Sequence, residues 1–561
     1  MSRKYLLSKL KTLEDQGFNI DKRKRPKNII LFIGDGMGVT LTTVARIFKN
    51  QRDKIYDQTP LAFERFDVTG LVNTHTLNNH IGSSESGASA MFAGQKTLSL
   101  TMSVKASANL SNCNVPEDQK MKNRISDNAL DKDMNVGLVT TTRLTHATPA
   151  ALYAHATSRY SEFDVHLKDK KCIDIGKQLL QYPANEFKVM LGGGRRGLLP
   201  EDVHDPINGT TKGVRRDNLN IIKEWSEIDD NRHVLLTRTD LLNFNISELN
   251  KNSKVLGAFA ESHFKYVTDL TPEQALLQPT LAEMTQTAIQ ILEQTNPNGY
   301  FLMVEGGLID IASHYNKGTV AILETLEMEK AIEAALKEID LSETLIIVTA
   351  DHSHSLTFNG YNERTNPVLA AYNIDYPTEI SWDRKNYPSI QFAAGAGFDT
   401  MWEKNRFFNK YYTRKNMTTK QFQDPNFVTP ACIKNIYGLH GGESVELHAI
   451  GPLSHIFSGN YDNTQIAYNM KYLLCLEEEG QLSICDREPN SIMEKIKKAF
   501  YDQEESRHEK CDEPALTMHF RIAMIIIIVQ AVILFGLLLK KLQLFQTQMH
   551  TEKLHCPANL S

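Results

Sequence analysis

Carboxylates and imidazoles follow apolar runs at several places in this chain, and the search for chemistry starts there. Asp35 follows NIILFIG in IGDGMG, Glu305 follows YFLMV, and Asp351 and His352 follow TLIIVTA in VTADHSH. A short β-branched run that ends in a charged residue reads as a buried strand with the charge at its carboxyl end. One aspartate in that position is usually a turn residue. Three strands ending alike point to metal ligands projecting from a rigid sheet. Asp310 and His314 stand four apart in LIDIASH, so on a helical turn they face one way and can hold one cation. His440 lies in LHGGES, where two glycines let the backbone approach a site closely. Ser84, among Ser83, Ser86 and Ser89 in HIGSSESGASAMFAG, can open a tightly packed helix. A serine at a helix N-terminus meets the positive end of the dipole and free N–H groups. That setting suits a nucleophile attacking a phosphoryl group.

These residues need a scaffold that brings strand ends together. Strands are expected at Asn28–Gly34, Val136–Thr141, Val189–Leu191, Val234–Leu236, Tyr300–Val304 and Thr344–Thr349, with helical periodicity at Leu281–Leu292 and Ala321–Ile339. The alternation predicts an α/β fold: a central, mostly parallel sheet flanked by helices on both faces, with ligands beyond the carboxyl ends of its strands. Residues 360–437, rich in Asn, Tyr, Phe and Pro without a clear period, read as an inserted subdomain. The chain has 561 residues, 41% hydrophobic and 23% charged, which excludes a wholly disordered chain and a polytopic membrane protein. Lys+Arg of 62 against Asp+Glu of 67 gives a net charge of -5, too little positive charge for a nucleic-acid binder.

The ends read differently from the body. Residues 1–27 are charged and show no apolar stretch of a secretory leader. The expected catalytic domain runs from 28 to 489, a charged stalk from 490 to 517, an apolar segment from 518 to 541 and a tail from 542 to 561. Ile522–Leu539 is apolar apart from Gln530 and is followed by Lys540 and Lys541. A single membrane-spanning helix is expected there, with the catalytic domain on the outer side of the plasma membrane. A lipid-anchor signal is the alternative, which the polar residues after the apolar run disfavour. The cysteines form no CxxC pair and favour an oxidising compartment; Cys475 and Cys485 close a short loop, as a local disulfide would. Sequons at Asn109, Asn208, Asn245 and Asn416 fit a secreted, glycosylated surface.

Six motifs in order complete the reading: IGDGMG, the Ser-Gly-Ala run ending GQK, TTRLTHATPAALYAHATSR, VEGGLIDIASH, TADHSHSLTFNGY and HGGESVELHAIGP. In them the chain resembles the alkaline phosphatase family, closer to animal than to bacterial members, from about Asn28 to about Pro489. The resemblance implies a phosphate monoester hydrolase that works at alkaline pH through a phosphoserine, with two zinc ions and one magnesium. It implies one zinc on Asp310, His314 and His440, and a second on Asp35, Asp351, His352 and the Ser84 oxygen. The magnesium would sit on Asp35, Thr148 and Glu305. Ser84 would be the nucleophile, Arg159 would clamp two phosphate oxygens, and His146 would lie beside the magnesium. It also implies disulfides Cys113–Cys172 and Cys475–Cys485, and a homodimer. The charges are consistent: metals of about +6, four carboxylates, an ionised serine and one arginine leave about +2 for a phosphate dianion.

Three departures from the family pattern stand out. Ser83 occupies the place where the family usually has an aspartate that helps hold the arginine, so a less fixed Arg159 is expected. Glu85 puts a negative charge beside the nucleophile, where it is expected to repel substrate. Ala260 and Gln278 stand where acidic ligands of an additional calcium occur in animal members, so no calcium site is carried over. Two other classes compete with the phosphatase. A sulfatase or phosphodiesterase of the same superfold lacks support, because no Cys/Ser-x-Pro-x-Arg motif surrounds Ser84. A non-enzymatic surface glycoprotein would be favoured by a lost ligand, yet every expected zinc and magnesium ligand is present.

Overall fold

Strand β1 (Asn28–Gly34) is buried along its whole length, on both faces, at the centre of a ten-stranded sheet. Its only polar residue staples it to both neighbours: Asn28 Nδ2 donates to Thr344 Oγ1 at 3.1 Å and Asn28 Oδ1 accepts from the Tyr300 N–H at 3.2 Å. In this computed structural model the described residues are 8–9, 11–12 and 25–476, less 56–57, 168, 170, 297, 373–382 and 406–410.

The other strands are β2 (Val68–Asn73), β3 (Asn135–Arg143), β4 (Val189–Gly193), β5 (Arg232–Leu235), β6 (Lys254–Ala258), β7 (Tyr300–Gly306), β8 (Thr344–Thr349), β9 (Val445–Ile450) and β10 (Gly459–Asp462). Their order is β10-β2-β9-β8-β1-β7-β3-β4-β6-β5. Only β9 runs antiparallel to its neighbours. The register sets Ile33 beside both Glu305 and Thr349, so β1, β7 and β8 end level with one another. All residues of β7 and β8 are buried, which requires cover on both faces.

Helices supply it. Among them are α1 (Val39–Arg52), α2 (Ser84–Ala93), α3 (Ala147–Ala151), α4 (Leu281–Thr295), α5 (Leu308–His314), α6 (Gly318–Glu338) and α7 (Thr464–Leu473), with other short helices such as Ile125–Asp131 between. Helices α4 and α6 pack on each other and on β7, while α2, α3 and α7 form a second group. Thr280 starts α4: its hydroxyl accepts from the Glu283 N–H, and the Glu283 carboxylate returns to the Thr280 N–H. Within 360–437 the chain builds a small separate sheet from 390–395 and 431–434, joined by 356–358. It rejoins the site where His440 pairs with His354 in a short antiparallel ladder.

Cys113 and Cys172 are joined in a disulfide. Cys485 lies outside the described residues, so the second expected pairing is not placed. The four sequon asparagines, Asn109, Asn208, Asn245 and Asn416, are all exposed. The expectation of a membrane-spanning helix is corrected: among the described residues no helix is long and apolar enough to cross a membrane. The apolar segment 518–541, the stalk and the tail lie outside the described residues, so nothing described supports the placement at the plasma membrane.

Candidate metal centre and active site

The site forms where β1, β7 and β8 end. Asp35 follows β1 directly, and the chain turns at Gly36, whose φ is 72°. A Cβ at Gly36 would meet His354 Cδ2 at 2.6 Å, so both the backbone angle and the space require glycine. We expect Gly36→Ala to displace Asp35 and His354 together and to weaken metal retention at least about tenfold. Metal content after gel filtration, by plasma emission, checks this; full retention would count against it.

Each carboxylate has one anchored side and one open side. Asp351 Oδ1 accepts from the N–H groups of Gly36 at 3.1 Å and His352 at 3.0 Å. Glu305 Oε2 accepts from the hydroxyls of Thr140 and Thr142. The opposite atoms, Asp351 Oδ2, Glu305 Oε1 and Asp35 Oδ2, are buried without any hydrogen-bond partner, as is Thr148 Oγ1. Unpaired buried acceptors are costly, and several converging in one place are the imprint of cations.

The imidazoles are set for the same purpose. His314 Nδ1 faces the Gly438 carbonyl at 2.8 Å and His440 Nδ1 faces the Gly82 carbonyl at 2.9 Å. A carbonyl only accepts, so each Nδ1 carries the hydrogen and each Nε2 keeps a lone pair for a metal. The two Nε2 atoms are 3.1 Å apart, and they lie 3.4 and 3.6 Å from Asp310 Oδ1. His352 Nε2 lies 3.4 Å from Asp35 Oδ1, and its ring stacks on that of His440 with centroids 3.6 Å apart. Ligand-type atoms of Asp310, His352, His354 and His440 lie within 4.8 Å of one another. The same holds for Asp35, Asp351 and His352, and for Asp35, His146 and Glu305.

Electrostatics match a site built for cations. Burial, with Asp310, Asp351 and Glu305 close by, pushes the Asp35 carboxyl well above its usual range. Burial likewise pushes Glu305 and Asp351 up to about 7. For Asp310, burial is outweighed by His314, His354 and His440, which hold the carboxyl well below its usual range. Burial pushes His440 down to about 4 and His352 and His146 well below their ordinary value, so these three rings are neutral.

Ser84 sits over this group. It is the first residue of α2, 1% exposed, with Oγ 3.3 Å from His352 Nε2 and 3.4 Å from Asp35 Oδ1. Every residue of α2 is buried, and the small residues Ser86, Gly87 and Ala88 in its first turns let it press close. At Gly87 a Cβ would stand 2.9 Å from the Asp351 carbonyl. Arg159 reaches in from the loop after α3, with Nη2 3.1 Å from His146 Nε2.

The structure therefore gathers Asp35, Ser84, His146, Thr148, Arg159, Glu305, Asp310, His314, Asp351, His352 and His440 around one place. The sequence reading omits His354, whose Nε2 is 2.6 Å from Asp310 Oδ1. Its signal was the alternation DHSH: two imidazoles two residues apart share one face of an extended segment. Glu85 also differs from expectation. It is fully buried, and its Oε2 accepts from Arg159 Nη1 at 2.7 Å. The arginine is held despite Ser83, and the charge of Glu85 is turned onto it.

An open, mostly parallel sheet with clustered carboxylates and imidazoles at its strand ends, beside a serine at a helix N-terminus, defines a metal-binding hydrolase site. The alkaline phosphatase family model matches residues 26–476. The chain is 34% identical over 466 residues to an alkaline phosphatase of Gadus morhua, covering 81% of this chain and 93% of that protein. It is 32% identical over 461 residues to the tissue-nonspecific isozyme of alkaline phosphatase from Homo sapiens, covering 80% and 84%. The fold is similar to that of the Thermus thermophilus alkaline phosphatase, with a TM-score of 0.56 at 21% identity over 82% of this chain and 94% of that one. The chain belongs to the alkaline phosphatase family, enzymes that hydrolyse phosphate monoesters.

Proposed function

We propose that this chain hydrolyses phosphate monoesters through a phosphoserine on Ser84, with two zinc ions and one magnesium as resident metals. The observation that carries the reading is the set of unpartnered buried oxygens, on Asp35, Glu305, Asp351 and Thr148, converging beside Ser84. Asp310, His314 and His440 suit one zinc; Asp35, Asp351, His352 and the Ser84 oxygen suit the other. The all-oxygen set of Asp35, Thr148 and Glu305 suits magnesium. Bound there, the metals would lower the pKa of the Ser84 hydroxyl and offset charge on the leaving oxygen.

The residues of the chain do the rest. Ser84 Oγ attacks phosphorus, forming the Oγ–P bond as the ester P–O bond breaks and the alcohol leaves. Water then attacks the same phosphorus, the Oγ–P bond breaks, and inorganic phosphate is released. Arg159 grips two non-bridging oxygens through its paired N–H groups and holds the phosphoryl group in line. His146, neutral and buried, accepts from Arg159 and steadies it. A homodimer with glycans on the exposed sequons belongs to the same reading.

The test is hydrolysis of p-nitrophenyl phosphate by the full chain from pH 6 to 11, with zinc and magnesium and with a chelator control. Because ligands and nucleophile must be deprotonated, the rate is expected to peak on the alkaline side and to vanish with chelator. A maximum at or below pH 6, or no turnover in folded, metal-loaded protein, would overturn it and leave a non-catalytic surface protein in its place.

A further inference from the structure

Glu85 stands beside the nucleophile in sequence but is not aimed at the reacting centre. Its carboxylate is fully buried in the first turn of α2, where the helix dipole favours negative charge. Oε2 accepts from Arg159 Nη1 at 2.7 Å. Oε1 accepts from the Leu100 N–H at 2.6 Å and from the Ser83 hydroxyl. That serine is fixed in turn by the hydroxyls of Ser86, at 2.9 Å, and Ser99, at 3.3 Å.

Leu100 closes a loop between acid and base. Its N–H points at Glu85, while its carbonyl accepts from the Arg159 N–H at 2.8 Å. To serve both, Leu100 adopts φ of 71°, in the left-handed region that a leucine avoids. With its side chain 44% exposed, packing does not explain that angle; the two hydrogen bonds do. The guanidinium is thus held at Nη1 by Glu85, at Nη2 by His146 and at its own backbone by Leu100. Nη1 and Nη2 each keep one more hydrogen, the pair needed for a bidentate grip on an oxyanion.

We propose that Glu85 is the positioning residue that presents Arg159 to the phosphoryl group, a task that the serine at position 83 cannot perform and instead supports. The proposal rests on the phosphatase reading for its consequence, phosphate affinity, but not for the arrangement itself. Glu85 touches no substrate atom; it acts through Arg159.

Two measurements separate the proposal from that reading. The first is equilibrium dialysis of inorganic phosphate into zinc- and magnesium-loaded protein carrying Ser84→Ala, so that no covalent intermediate forms. Adding Glu85→Ala is expected to weaken phosphate binding on the order of tenfold, as a displaced clamp does. Glu85→Gln, which keeps the hydrogen bonds but not the charge, is expected to fall between. Adding Ser83→Asp to Glu85→Ala returns a carboxylate to the place the Ser83 hydroxyl shares with Glu85 Oε1, and is expected to recover most of the loss. The second measurement uses metal-free full chain: the rate at which phenylglyoxal modifies Arg159, read by peptide mass spectrometry. Glu85→Ala is expected to raise that rate about tenfold, because the ion pair shields the guanidinium. An unchanged Arg159 rate overturns the proposal whether or not the protein is a phosphatase. So does weakened phosphate binding that Ser83→Asp fails to recover while the melting temperature stays constant. If the Ser84→Ala parent takes up no phosphate but the Arg159 rate still rises, the phosphatase reading fails and the positioning role stands.

Discussion

Replacing Ser84 by alanine is expected to lower kcat for p-nitrophenyl phosphate by about 10⁴-fold or more while leaving the fold intact. Oγ is the one atom removed, and it lies 3.3 Å from His352 Nε2 and 3.4 Å from Asp35 Oδ1, at the N-terminal end of a ten-residue buried helix. The backbone there is held by other groups: the Gly87 N–H donates to the Ser83 carbonyl at 2.8 Å, and Ser89 Oγ donates to the Glu85 carbonyl at 2.6 Å. Because Ser83 is the residue preceding the helix, the alanine removes no helix cap. Stability should therefore change by no more than about 1 kcal/mol. The buried hydroxyl has no substitute within reach: the Ser83 and Ser86 hydroxyls are bonded to each other, and Ser83 to Glu85. The check has three parts: turnover, melting temperature, and acid-quenched labelling with radioactive phosphate, which should mark Ser84 in the parent and nothing in the variant. Residual turnover within tenfold of the parent, with the fold intact, would remove Ser84 from the reaction.

The parts of this site that sequence reveals are those that sit on continuous local patterns. Runs such as NIILFIG and TLIIVT are strands because both faces are buried, and their ends, Asp35 and Asp351, are legible as soon as a parallel sheet is assumed. Both strands have the expected limits, Asn28–Gly34 and Thr344–Thr349. What escapes is what long-range pairing decides. Val68–Asn73 alternates buried and exposed residues near one edge, and Val445–Ile450 runs antiparallel beside it; neither announces its place in the sheet. His354 leaves only the faint DHSH alternation in sequence, because its value lies in a contact with Asp310, 44 positions away. Glu85 was legible as a charge and misjudged as a repulsive one. Its partner, Arg159, is 74 positions distant, and only folding turns one toward the other. Thr148 and His146 show the same limit, since α3 is five residues long and carries no period to read.

Stripping the divalent metals is expected to abolish turnover, and the loss should become progressively easier as the pH falls below about 7. His352 and His440 do not set that dependence: burial keeps both below their ordinary values, so they are already neutral at pH 7. The carboxylates do. In metal-free protein Glu305 and Asp351 are pushed up to about 7, chiefly by burial and also by neighbouring carboxylates. A carboxyl whose folded-state pKa is raised adds stability below its unfolded value, near 4, and that contribution disappears as pH rises through the folded value. Bound cations reverse the sign, since they need the ionised form and supply the missing opposite charge. Metal binding should therefore expel protons from Asp35, Glu305 and Asp351, more of them at pH 5 than at pH 8, and metal affinity should fall as the pH drops from 7 to 5. The gap in melting temperature between loaded and stripped protein should widen from pH 5 to 8, whatever other groups titrate in both. Calorimetric titration of the stripped protein with zinc and magnesium, in buffers of different ionisation enthalpy, counts the protons directly. No proton release, or a melting gap that narrows as pH rises, would mean that these carboxylates are not the ones a metal must discharge.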